Sequence, residues 1–301
     1  MSIPLIIKQI NSIVLGKDTQ VRLSLACLLA QGHLLIEDLP GMGKTTLAHC
    51  LAKALGLKFE RVQFTADLLP ADILGVAIFA KEQGVFRFHP GPIFTQVLLA
   101  DEINRASTKT QSALLEAMEE GQVTIEGKTR PLPTPFFVIA TQNPLSQSGT
   151  YHLPESQLDR FLMRISIGYP SAQSERMLFE GVNPRQALET LKPVITQEQL
   201  IDLQNQVRKV TASTALLDYL QRLVGATRQE AIFSYGLSPR GALAWLNAAK
   251  AWALIHERNY LIPEDLQAVM HAVLGHRLKG ARHQDVAQLL KELQQRVAVL
   301  L

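Results

Sequence analysis

The sequence predicts an α/β body, a parallel β-sheet with helices on both faces, followed by an all-helical C-terminal domain. Short apolar runs alternate with helical patterns through the first half of the chain. Those runs are too short and too uniformly apolar to be amphipathic helices, and strand–helix alternation is the signature of a parallel sheet covered on both sides. From Thr196 onward only helical periodicity remains. With 301 residues, 47% of them apolar, the chain can bury a sizeable core and has the length of roughly two domains.

The opening "MSIPLIIKQINSIV" lacks the charged head and cleavage site of a signal peptide, and no apolar run approaches the ~18 residues of a membrane span. Cys27 and Cys50 sit in apolar helical patterns and read as small core residues of a reduced, cytoplasmic protein. "HLLIED" (33–38) reads as a buried strand and "TLAHCLAKALG" (46–56) as the helix after it. "FERVQF" (59–64), "QVLLAD" (96–101), "FFVIAT" (136–141) and "LMRISI" (162–167) read as four more strands. "STKTQSALLEAMEEG" (107–121) is a helix with Ser107 as N-cap and Gly121 as its stop. Two segments look inserted, 78–92 and 121–133. Each places a glycine between alternating apolar residues and reads as a hairpin. A connector follows around 170–195. "TQEQ" (196–199) then fits a capping box, and "IPEDLQAVM" (262–270) puts proline in a first helical turn with acids behind it. The expected division is 1–190 for the body with its connector and 191–301 for the helical domain.

Charge is modest. Charged residues make up 19% of the chain and the net charge is +3, with 12 Lys/Arg against 8 Asp/Glu in residues 201–301. That mild excess reads as solvated helix faces; a nucleic-acid surface needs tighter clustering.

The chemistry starts at "EDLPGMGKTT" (37–46). It follows a predicted strand and opens a predicted helix, the setting in which a glycine-rich loop wraps a phosphate chain with backbone N–H groups. The general spacing G-x-x-x-x-G-K-[ST] places a glycine where this chain has Asp38; Pro40-Gly41 can make the turn instead. Pro40, Gly41, Met42, Gly43, Lys44, Thr45 and Thr46 are therefore candidates for nucleotide binding. Lys44 would reach the β and γ phosphates, and the Thr45 hydroxyl would hold Mg²⁺. "VLLADEINRA" (97–106) ends an apolar strand on two acids: Asp101 for the Mg²⁺ hydration shell, Glu102 to orient and deprotonate an attacking water. A second acid fits a hydrolase better than a kinase, because water needs a base. Asn143 ends the next strand and can position the water or feel the γ-phosphate; read alone it is a turn Asn before Pro. Arg160 and Arg240, each read alone, are surface residues.

The ordered set of loop, acid pair, strand-tip Asn and two spaced arginines resembles an AAA+ ATPase. "EDLPGMGKTTLA", "LLADEINRASTKTQSALLEAMEEGQVTIEG", "PFFVIATQNP", "GTYHLPESQLDRF" and "LSPRGALAWLNAAKAWAL" resemble the MoxR family, over about Ile13 to Arg277. Members often carry Glu-Asp before the Pro-Gly of this loop, so Asp38 is in pattern. The resemblance implies a P-loop AAA+ body with a five-stranded parallel sheet and a helical lid. It makes Lys44 and Thr45 part of Walker A, Asp101 and Glu102 part of Walker B, Asn143 sensor 1 and Arg240 sensor 2. Arg160 becomes an arginine finger that reaches a neighbour's nucleotide. "VLGKD" (14–18), with Val14, Leu15 and Gly16, matches the segment that packs on adenine. The two inserts match the helix-2 insert and the hairpin before sensor 1. Departures are small: His152 stands where proline is common, and Leu237 and Gly241 where alanine is usual. The implied cofactors are ATP and Mg²⁺. The implied assembly is a ring, usually a hexamer, that remodels or matures client proteins, often alongside a von Willebrand A domain protein.

Other readings fit less well. A regulatory GTPase needs Asn-Lys-x-Asp, which is missing from the sequence. A small-molecule kinase has no ready use for Glu102 and Arg160 together, and a non-hydrolysing scaffold has none for the whole set. A nucleic-acid-remodelling motor of the same superfamily is the alternative, which salt-dependent DNA binding would reveal. Histidine metal sites are not expected, since His271 and His276 lie five apart and off one helix face. Trp245 and Trp252, seven apart, read as a core stripe.

Overall fold

A computed structural model describes residues 2–82, 84–144, 150–181, 183–229, 232–281 and 284–299. The hairpin position 83, Gly149 of the "GTYHLPESQLDRF" stretch and the last two residues of the helical domain lie outside the described residues. Five strands form the parallel sheet: β1 (His33–Glu37), β2 (Phe59–Gln63), β5 (Val97–Asp101), β8 (Phe137–Gln142) and β9 (Phe161–Ile165), in the order β2-β5-β8-β1-β9. β3 (Gly75–Ala80) pairs with β4 (Val85–Pro90), and β6 (Gln122–Ile125) with β7 (Lys128–Pro131), as separate antiparallel hairpins. Both inserts are thus hairpins, the first starting three residues earlier than the alternation suggests.

The period-two geometry of the strands divides the core. Leu34, Ile36, Val97, Leu99 and Ile139 point to one side of the sheet, where α1 (Ile3–Asn11), α2 (Asp18–Leu29) and α3 (Lys44–Ala54) cover them. Leu35, Leu98, Ala100, Val138 and Ala140 point to the other, against α4 (Pro70–Leu74) and α5 (Thr108–Glu120). The α5 ends are as the residues demand. The Ser107 hydroxyl accepts from the Thr110 N–H at 3.3 Å, and Gly121 closes the helix in the left-handed region at φ 62°. Cys27 and Cys50 are buried free thiols, and burial pushes the Cys50 thiol up to about 12.

A short α6 (Glu155–Leu158) leads into β9. The connector is more ordered than its composition suggests, folding into α7 (Ala172–Phe179) and α8 (Pro184–Thr190). Beyond it come α9 (Gln197–Lys209), α10 (Thr214–Gln229), α11 (Pro239–Ile255), α12 (Pro263–Leu274) and α13 (Val286–Arg296). The capping box forms: Thr196 Oγ1 accepts from the Gln199 N–H at 3.4 Å, and Gln199 Oε1 from the Thr196 N–H at 2.9 Å. Trp245 is fully buried and donates to the Leu266 carbonyl at 2.8 Å; Trp252 is half-buried against the same core.

The helices dock on the body through polar clasps as well as apolar contact. Gln204 donates to the Leu28 carbonyl at 3.0 Å and Asn247 to the Ala30 carbonyl at 2.9 Å, clasping the C-terminal end of α2. Buried Arg277 donates to Asp159 Oδ1 (2.7 Å) and to the carbonyls of Phe161 (2.6 Å) and Leu162 (3.0 Å), fixing α12 to the start of β9. His276 beside it is buried against the Phe161 carbonyl at 2.9 Å. Among the described residues, no helix is long and apolar enough to cross a membrane.

Candidate nucleotide site

The loop after β1 lies at the C-terminal edge of the sheet, where ligands of parallel α/β folds gather. Gly41 and Gly43 take left-handed φ values of 83° and 85°, and an added Cβ at either would meet nothing within 4 Å. Their need is therefore conformational: only glycine turns the chain this way without strain. Asp38 keeps a negative φ, so no glycine is required there. α3 begins at Lys44 with its N-terminus at the loop, and its unpaired N–H groups and partial positive charge suit phosphate. Pro40, Gly41, Gly43, Lys44, Thr45, Thr46, Asp101 and Glu102 share one cleft of about 370 Å³ with Arg61, Gln63 and Arg185. Burial pulls the Lys44 ammonium below its ordinary pKa, opposed by Asp38, Asp101 and Glu102. Its Nζ donates to the carbonyls of Asp38 (2.5 Å) and Leu39 (2.9 Å).

A second cleft of about 230 Å³ adjoins the loop, lined by Val14, Leu15, Met42 and Thr46 together with Gly168, Pro170 and Ser174. Its lining is mostly apolar, as a base needs. Gly16 turns at φ 69° against α7, where a Cβ would come within 2.4 Å of the Ser174 hydroxyl.

The acid pair is held by residues that carry no role in the sequence motifs. The buried Thr141 hydroxyl donates to Asp101 Oδ1 at 2.6 Å and accepts from the Glu102 N–H at 2.9 Å. Arg61 pairs with Asp101 Oδ2 at 2.6 Å. Gln63 and Arg105 each donate to Glu102 Oε2 at 3.0 Å. Glu102 is in the left-handed region, φ 56° and ψ 48°, an unfavourable backbone for a non-glycine residue. Thr45 and Asp101 thus bring a hydroxyl and a carboxylate into one cleft, a donor set of hard oxygens that fits Mg²⁺. Among the described residues no cluster of three His, Cys, Asp or Glu offers another metal site. Asn143 directly follows β8 at the same edge of the sheet.

The two arginines stand elsewhere. Arg160 precedes β9, at the N-terminal edge of the sheet, level with the start of β1 where His33 pairs with Phe161. A five-residue strand, roughly 16 Å, separates that edge from the phosphate loop. Arg240 joins it: Arg160 binds Glu119 Oε2 at 3.2 Å and Arg240 binds Glu119 Oε1 at 3.0 Å. Neither lines the phosphate cleft. The fold brings Lys44, Thr45, Asp101 and Glu102 together and keeps Arg160 and Arg240 together apart from them.

A parallel sheet with a phosphate loop after its first strand, an acid pair one strand removed and a helical C-terminal domain define an ATPase of the AAA type. The chain matches the family described as "ATPase family associated with various cellular activities (AAA)" over residues 33–163, and the AAA lid domain over residues 225–296. It is 49% identical to the protein YeaC of Bacillus subtilis, covering 90% of this chain and 85% of YeaC. It is 42% identical to the chaperone MoxR1 of Mycobacterium tuberculosis, covering 90% of this chain and 74% of MoxR1. A solved crystal structure of a protein from Cytophaga hutchinsonii matches with a TM-score of 0.89 at 36% identity, covering 99% of this chain and 94% of that one. The chain belongs to the MoxR family of AAA+ ATPases.

Proposed function

We propose that this protein hydrolyses ATP with Mg²⁺ at sites shared between copies in a closed ring, and that turnover drives remodelling or maturation of client proteins in the cytoplasm. One observation carries the shared site. Phosphate loop and acids occupy one edge of the sheet and the Arg160–Arg240 pair the other. A subunit whose arginines cannot reach its own loop can offer them to the next copy, and head-to-tail contacts of that kind close into rings. Six subunits, and a client-recruiting protein with a von Willebrand A domain, belong to the same reading.

In this reading the loop amides and Lys44 hold the β and γ phosphates, and the cleft beside Val14 and Met42 takes adenine. Mg²⁺, held at Thr45 and Asp101, would neutralise charge on the phosphate oxygens. Glu102 accepts the proton of the attacking water, and Asn143 helps place that water. Arg160 and Arg240 from the neighbour stabilise the charge that develops on the transferred phosphoryl oxygens. The chaperone name of MoxR1 supports protein clients over nucleic acid.

Glu102→Gln tests the reading. It keeps the size and removes the base, so ATP binding should survive while turnover falls on the order of 10²–10⁴-fold. Normal hydrolysis by this variant would place the base elsewhere.

A further inference from the structure

Asp38 stands where the general phosphate-loop spacing has glycine, yet its backbone has no need of one. The residue is 8% exposed and its carboxylate is fully engaged. Oδ2 accepts from the Gly168 N–H (2.6 Å), the Ile167 N–H (2.7 Å) and the Ser166 hydroxyl (3.0 Å), and Oδ1 from the Leu39 N–H (2.8 Å). Burial alone would push this carboxyl up; the donors from Gly168, Leu39, Ser166 and Ile167 outweigh it and hold it below the usual carboxylate value. The backbone of the same residue makes two further links. Its N–H donates to the Gln142 carbonyl at the end of β8, and its carbonyl receives Lys44 Nζ.

The partners of the carboxylate are not an arbitrary part of the fold. Residues 166–168 leave β9 and turn into the wall of the apolar cleft, which Gly168 and Pro170 line together with Met42 and Thr46. Asp38 thus spans two half-sites. Through Leu39 and Lys44 it holds the entrance of the phosphate loop, and through the 166–168 amides it holds the wall against which a base would lie. A phosphate loop must keep its own N–H groups turned toward the ligand, so its anchorage has to come from elsewhere. A carboxylate accepting several N–H and O–H groups at once is a strong anchor.

We propose that Asp38 is a positioning residue that locks the phosphate loop to the wall of the base cleft, so that adenine and phosphate groups of one nucleotide bind cooperatively. The inference rests on the nucleotide reading of the two clefts. It gives a glycine-to-acid departure from the general loop a role in affinity.

Calorimetric titration with ADP and with inorganic pyrophosphate, Mg²⁺ present throughout, separates the possibilities. The wild type should bind ADP much more tightly than pyrophosphate. Asp38→Asn preserves shape, but its amide accepts on one atom only, so either Leu39 or the 166–168 donors must face an NH₂ group. The ratio of ADP to pyrophosphate affinity should fall by at least about tenfold, the scale of a lost hydrogen bond to a charged group. Asp38→Gly should lose at least as much. Ser166→Ala, which removes one donor and leaves the carboxylate in place, should shift the ratio in the same direction by a smaller factor; it keeps the test valid if either Asp38 variant misfolds. An unchanged ratio in these variants, or an equal loss for ADP and pyrophosphate, overturns the coupling. A wild type that binds no ADP overturns the nucleotide reading itself, and the inference with it.

Discussion

Thr141→Val is the sharpest test of how the acids are held. The substitution conserves volume and shape, so it opens no cavity; what it removes is one hydroxyl. That hydroxyl donates to Asp101 Oδ1 and accepts from the Glu102 N–H in a site closed to water. A hydrogen bond to a charged group is worth about 1.5–3 kcal/mol and a neutral one about 0.5–1.5, so the pair contributes about 2–4 kcal/mol. Part of this is returned. Glu102 is held in a left-handed backbone that costs about 1–3 kcal/mol, and without its anchor the residue relaxes. The net expectation is a stability loss of about 1–3 kcal/mol, read by denaturant unfolding. The kinetic effect should be of comparable size, near the upper end of that range. A Glu102 carboxylate that swings by an ångström loses about 10²-fold in turnover, while ATP affinity, set by the loop, changes little. Thr141→Ser, which keeps the hydroxyl, should retain most activity. If Thr141→Val hydrolyses ATP within twofold of wild type, the hydroxyl does not position Glu102.

Two further outcomes follow. His33 is half-buried, with Nδ1 accepting the Val138 N–H at 3.0 Å and Nε2 against the Met118 carbonyl at 3.2 Å, and desolvation lowers its pKa from 6.5 to about 4. The folded state resists a proton that the unfolded state takes up below pH 6.5, so stability is full above that pH and declines by up to about 3 kcal/mol as pH falls from 6.5 to 4. Buried His276, also held well below 6.5 by desolvation and by Arg277, acts in the same direction. His33→Gln should flatten the slope in urea titrations across that window, and an unaltered slope assigns it elsewhere. On the first hairpin, Phe88 packs on Phe94 and lies under the Arg130 guanidinium, whereas Phe79 and Phe86 pair at 5.2 Å on its open side, 49% and 66% exposed. Phe86→Ser should leave melting temperature and basal ATPase unchanged and weaken client engagement; loss of folding would show that the ring packs on the body.

What the sequence reveals of this fold is what short segments encode. Four of the five sheet strands are mostly apolar runs and β2 alternates, and each glycine of the loop sits where a positive φ is needed, so strands, phosphate loop, acid pair and hairpins are all readable in line. The supports of the site are not. Arg61 and Gln63 sit in a strand that looks ordinary until the sheet order sets β2 beside β5. Three of the four donors to the Asp38 carboxylate lie 128 to 130 residues away. Thr141 is two residues from the recognised Asn143, but its hydroxyl matters only because β5 and β8 run in register. Glu119 meets Arg160 across some forty residues within the body, and meets Arg240 only after the helical domain has docked. Periodicity also misses α7 and α8, whose polar faces leave little apolar signal.

The claim that one active site draws on two copies of the chain has a direct test: ATP turnover in mixtures of two inactive variants. Lys44→Ala lacks the phosphate grip but keeps its arginines; Arg160→Ala keeps the loop and acids but offers the neighbour no guanidinium. An arginine supplied to a phosphoryl transfer contributes about 10³–10⁵ in rate, so each variant alone should be nearly silent. Mixed, they should recover part of the wild-type rate, and wild-type activity per subunit should rise with protein concentration as rings assemble. Concentration-independent turnover with no recovery on mixing would show that a single subunit carries its whole site and that Arg160 serves only the fold.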